Sequence, residues 1–127
     1  MIIQVIPRQF YKRDTVLVSR ELLGKKLVRV IDSTILVGII SETESYRNDD
    51  PASHSFIGET ERNKSMFGEV GHAYVYISYG IHFCLNAVAR DTDKFKAGGA
   101  LIRSIIPIKN VDIMIKNRNL EDKIRLC

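Results

Sequence analysis

Between Ala73 and Val88 the side chains alternate clearly enough to predict a hairpin. Val75 and Ile77 fall on one face, and Tyr74, Tyr76 and Ser78 on the other. If Ile77 pairs with Phe83 and Val75 with Leu85, both apolar rows share a side, which requires an odd loop such as Tyr79-Gly80-Ile81. The same register gathers Tyr74, Tyr76, Cys84 and Asn86 on the opposite face, which reads as the polar one.

Other segments follow from local signals. Asp14 before Thr15 to Leu23, with Gly24 behind, predicts a short capped helix with a glycine stop. Lys26 to Val30 and Thr34 to Tyr46 are rich in β-branched residues and are joined by the turn-forming pair Asp32-Ser33. Arg47 to Pro51 reads as a loop. Ala100 to Ile106 is a further strand, and Val111 to Asn119 a helix with Lys116 and Arg118 towards its end. The pattern predicts an α+β fold, a single domain spanning residues 1–127, with a curved, mostly antiparallel β-sheet and flanking short helices.

Composition narrows the class. The chain has 127 residues, 45% of them hydrophobic and 27% charged, enough for one globular core and unlike a disordered or collagen-like chain. The longest apolar run, Ile35 to Ile40, is far short of the ~20 residues of a membrane span. Met1 to Arg8 lacks the basic start and cleavage pattern of a secretory signal, so an intracellular location is expected. Cys84 and Cys127, the two cysteines, lie far apart and suit free thiols in a reducing compartment.

Charge is unevenly spread. Residues 1–30 carry seven bases and two acids, residues 31–60 one base and six acids, and residues 91–127 eight bases and five acids. Basic flanks suit a polyanion such as nucleic acid, whereas an acidic centre needs a separate explanation, such as catalysis.

Glu42 and Glu44, two apart near the end of a strand, are expected to share a face with Ile40 and Tyr46. A carboxylate beside an apolar residue and a ring is a candidate general base, because partial desolvation strengthens it; a strand end fraying into solvent is the plainer reading. Arg103, between Leu101 and Ile105 on one face of a strand, needs a carboxylate partner, and Glu42 or Glu44 is the natural one. Tyr74, Tyr76 and Tyr79 cluster at a hairpin, where rings can stack on bases, wedge into a duplex, or form a cross-strand ladder. His54, His72, His82 and Cys84 lack zinc-ligand spacing, so no metal is expected. No G-x-S-x-G turn supports a serine hydrolase.

Taken in order, Glu42-Thr43-Glu44-Ser45-Tyr46, Ala52-Ser53-His54-Ser55, Arg62-Asn63 with Met66-Phe67, and Tyr74 to Asn86 resemble the alkyladenine (3-methyladenine) DNA glycosylases of the mammalian type. Leu22 to Val28 and Leu101-Ile102-Arg103 fit in register, so the resemblance spans roughly residues 8–110. It implies excision of alkylated or deaminated purines from double-stranded DNA after base flipping. By resemblance, Glu44 is the general base that activates water, and Arg103 helps to hold that water. Tyr46, His54 and Tyr76 wall the base pocket, where rings favour a cationic purine; Asn86 obstructs the exocyclic amine of guanine, and Tyr79 is the intercalating wedge. The resemblance implies a monofunctional glycosylase with no cofactor, monomeric where it is stable.

The resembled family continues beyond the point matching residue 120, with elements that close its sheet and contact the catalytic water. The chain is therefore expected to be C-terminally truncated, and its exposed sheet to favour self-association. A non-catalytic remnant or a damaged-DNA-binding module is the rival expectation; a basic RNA-binding domain would explain the tyrosines but not Glu44 and Arg103.

Overall fold

The computed structural model describes residues 4–78 and 82–118. Five strands, β1 (Lys26–Ile31), β2 (Thr34–Arg47), β3 (Ala73–Ser78), β4 (His82–Val88) and β5 (Gly98–Lys109), form one sheet in the order β1-β2-β5-β4-β3. Every pairing is antiparallel. Helices α1 (Thr15–Leu22) and α2 (Val111–Arg118) complete the expected α+β architecture.

Helix α1 starts where a capping side chain is available: the Asp14 carboxylate accepts the Val16 amide at 3.2 Å, filling one of the first turn's unpaired donors. Beyond its end, Gly24 adopts φ +83°, a conformation that suits glycine. Its inner face, Thr15, Val18, Ser19 and Leu22, is buried and packs Val18 and Leu22 against Ile40, Ala89 and Ala100. Hydroxyls pin it at two points, because Thr15 Oγ1 donates to the Ala89 carbonyl at 2.7 Å and Thr43 Oγ1 to that of Ser19 at 2.7 Å.

The other face of the sheet is covered by the long connection between β2 and β3. Its 3₁₀ turn, Lys64–Phe67, buries Met66 against Tyr74, Val88 and Ala97. Arg90 caps that turn, donating to the carbonyls of Gly68 at 2.7 Å and Phe67 at 3.3 Å.

The β3–β4 register has Val75 opposite Leu85 and Ile77 opposite Phe83, as the alternation predicts. The sidedness is the reverse of the sequence reading. Tyr74 and Asn86 are 3% and 2% exposed, whereas Val75, Ile77 and Phe83 are 52%, 44% and 73% exposed. The tyrosine row turns inward because the β2–β3 connection covers it, while α1 lies chiefly over β2 and β5 on the opposite face.

Candidate active site

A single row of opposed residues crosses four strands: Tyr74 faces Asn86, Asn86 faces Leu101, and Leu101 faces Glu44. Opposed residues in antiparallel strands share a face, so the acidic end of β2 and the tyrosine hairpin belong to one surface. Glu44 on β2 and Arg103 on β5, far apart in sequence, meet through this sheet.

The register changes beside the carboxylates. Ile40 pairs with Ile105, Glu42 with Ser104, and Thr43 with Ile102. Ser41 is therefore extra on β2 and Arg103 extra on β5, two irregularities of opposite sense that re-aim the strands between them. Two expectations are corrected. Ile40 does not share a face with Glu44 but packs into the α1 core with Val18 and Leu22. Leu101 and Ile105 do not flank Arg103 on one face either, since Ile105 packs against the α1 core and Leu101 opposes Glu44.

Arg103 meets both expected partners, its Nε lying 3.7 Å from Glu42 and 3.9 Å from Glu44. It is not the core ion pair that its apolar flanks suggest, because its side chain is 65% exposed. The bulge lifts it out of the alternation and leaves it over the carboxylates at the surface.

Tyr46 donates from its hydroxyl to Glu44 Oε1 at 2.7 Å. That hydrogen bond, reinforced by burial and the carboxylate's charge, pushes the phenol up to about 12. The Tyr76 phenol is also pushed up to about 12, chiefly by burial, with a contribution from Cys84. Both stay protonated near neutrality.

Tyr46, His54, Tyr76 and Asn86 line one recess of about 60 Å³, together with Ala52, Met66 and Tyr74. The His54 and Tyr76 rings are in edge contact, with centroids 4.5 Å apart, and Tyr74 lies 5.5 Å from Tyr76. His54 Nδ1 is 3.2 Å from the Tyr74 hydroxyl. Burial, and secondarily the nearby Arg62 charge, lowers the His54 pKa below its usual value, so the ring favours its neutral form. Asn86 donates from Nδ2 to the Tyr74 carbonyl at 3.3 Å, which fixes its side chain in the floor. Tyr79 lies outside the described residues.

The loop that carries His54 is organised by Asn63. Its Nδ2 donates to the carbonyls of His54 at 2.9 Å and Gly58 at 3.0 Å, and its Oδ1 accepts the Thr60 amide at 2.7 Å. A buried amide with its donors and acceptor used in this way is a structural hub.

The residues 9–127 match the methylpurine-DNA glycosylase (MPG) family. The chain belongs to that family. Relatives whose provisional name is 3-methyladenine DNA glycosylase include proteins of Carboxydothermus hydrogenoformans, 46% identical over 87% of this chain and 56% of the relative. Those of Koribacter versatilis and Legionella pneumophila are 49% and 50% identical over 91% and 84% of this chain, and 56% and 57% of their own lengths. The chain thus spans about half the length of these curated relatives.

In this member of the MPG family the recess is also lined by Tyr74, Met66 and Ala52, to which the sequence assigns no pocket role. Tyr74 was legible as a facial partner of Tyr76, but its burial depends on the covering loop. Met66 and Ala52 lie in that loop, where no periodicity reports which side chains turn inward.

Proposed function

We propose that the protein is a base-excision-repair DNA glycosylase, which flips an alkylated or deaminated purine out of double-stranded DNA and hydrolyses its N-glycosidic bond. The observation that carries the reading is the joining of the aromatic recess to Glu44 through the Tyr46 hydroxyl. Membership of the family and the names of the relatives support it.

Tyr46, His54 and Tyr76 act as the walls of the base pocket. His54 and Tyr76 touch one another, so a flat base cannot enter between them and instead stacks on the wall they make together. With His54 neutral and the phenols protonated, the wall carries no charge to oppose a cationic alkylpurine, and its ring faces attract one. Asn86, fixed in the floor, excludes the exocyclic amine of guanine.

Glu44 takes a proton from water as that water attacks the sugar carbon, and Arg103, over both carboxylates, helps to hold the water. Tyr79 fills the gap left in the duplex by the extruded nucleotide. In this reading no cofactor or metal takes part, and the chain acts inside the cell, as a monomer where it is stable.

Single-turnover excision from a duplex bearing one alkylated or deaminated purine tests the proposal. Release of the free base, lost in Glu44→Gln while lesion binding persists, is the expected result. Tight lesion binding without base release would identify a recognition module instead.

A further inference from the structure

Beside the base recess lies a second one of about 180 Å³, lined by His54, Ile57, Thr60, Arg62, Asn63 and Tyr74. His54 and Tyr74 line both recesses. The first is mainly aromatic, whereas the second adds a cation and two polar residues.

Arg62 is held in place without being neutralised. The next residue, Asn63, is buried and anchored by its side chain and by its own amide, which donates to Thr60 Oγ1 at 3.3 Å. The guanidinium is exposed and donates through Nη2 to the Ile77 carbonyl at 3.3 Å. Among the described residues, no ion pair engages Arg62; its neighbour Glu61 pairs with Lys64 instead, at 3.3 Å. A guanidinium offers five donors, so most of its capacity faces solvent.

An unneutralised cation next to a site for cationic purines opposes binding unless an anion arrives with the substrate. Every nucleotide brings one in its phosphodiester. We propose that the second recess binds a backbone phosphodiester of the strand carrying the extruded purine, with Arg62 as its principal donor. This rests on the glycosylase reading and extends it: His54 and Tyr74 form a partition with base on one side and backbone on the other. Arg62 is a positioning residue, which holds the strand so that the sugar carbon lies near Glu44.

The test compares duplex affinity across a salt series for the parent chain, Arg62→Gln, Arg62→Lys and Arg29→Gln, the last on β1 at the far edge of the sheet. Loss of one phosphate contact lowers the slope of log affinity against log salt by about 0.9. That fall is expected in Arg62→Gln, with the parent slope kept in Arg62→Lys and Arg29→Gln. Methylphosphonate replacement of each phosphate flanking the lesion supplies a second measurement: one replacement should weaken the parent and leave Arg62→Gln unaffected. A parent slope in Arg62→Gln, or equal sensitivity of parent and variant to every replacement, overturns the assignment and leaves the glycosylase reading standing. A parent chain with no salt-dependent duplex binding overturns both.

Discussion

Tyr46 donates a hydrogen bond from its hydroxyl to Glu44 Oε1 across 2.7 Å, from a position two residues further along the same strand. Glu42 also faces Arg103, but its side chain is 57% exposed against 38% for Glu44, and the ring of Tyr46 joins only Glu44 to the recess. This one contact distinguishes the two carboxylates, which spacing along the strand alone leaves alike.

Glu44→Gln should therefore lose excision by at least the roughly 100-fold that a general base contributes, whereas Glu42→Gln keeps most of it. Single-turnover rates with saturating protein measure both. Equal losses in the two variants would remove the distinction between them.

The Tyr46–Glu44 contact should be visible in alkaline titration. The folded phenol titrates near 12, above its unfolded value of about 10, so the protonated form is favoured by folding. The resulting stabilisation is fully present below pH 10 and is lost as pH rises towards 12. Phenolate absorbance should show Tyr46 titrating at lower pH in Glu44→Gln. Tyr76, raised mainly by burial, should stay where it is.

His54 gives the opposite dependence on the acid side. Its folded pKa lies below the ordinary 6.5, through burial first and Arg62 second. The unfolded chain then binds the proton more readily, so stability is complete above pH 6.5 and declines as pH falls below it. Urea denaturation of the parent and His54→Phe between pH 7 and 5 should show a shallower decline in the variant. Affinity for a cationic lesion should fall at still lower pH, once the folded ring itself takes up the proton and repels the lesion.

Asn86→Ser should relax discrimination against guanine, because it removes the amide fixed below the recess by the Tyr74 carbonyl. The excision ratio of hypoxanthine to guanine in matched duplexes is the measurement, and an unchanged ratio would take Asn86 out of selectivity.

Gly98→Ala should destabilise the fold by about 2 to 3 kcal/mol, the upper part of the usual range for single substitutions. A Cβ there would lie 2.3 Å from the Ala89 carbonyl oxygen and 2.5 Å from Thr15 Oγ1, the pair that docks α1. Gly24→Ala meets no atom within 4 Å and should cost only the left-handed strain of about 1 to 2 kcal/mol. Urea midpoints of the two variants compare crowding with strain.

Local signals in the sequence determined the α1 cap at Asp14, the Asp32 turn, the strands and the β3–β4 register, because each depends on residues close along the chain. The common face of Tyr74, Tyr76 and Asn86 was legible for the same reason, since a strand's side-chain period is two. Periodicity separates two faces without saying which is inside. That choice was made by the β2–β3 connection, whose Met66 and His54 cover the tyrosines and leave Val75, Ile77 and Phe83 outward. The irregularities at Ser41 and Arg103 were also hidden, because they arise from how two distant strands align rather than from either strand's pattern. Only their alignment moves Ile40 into the α1 core, keeps Glu44 on the recess side and sets Arg103 over the carboxylates.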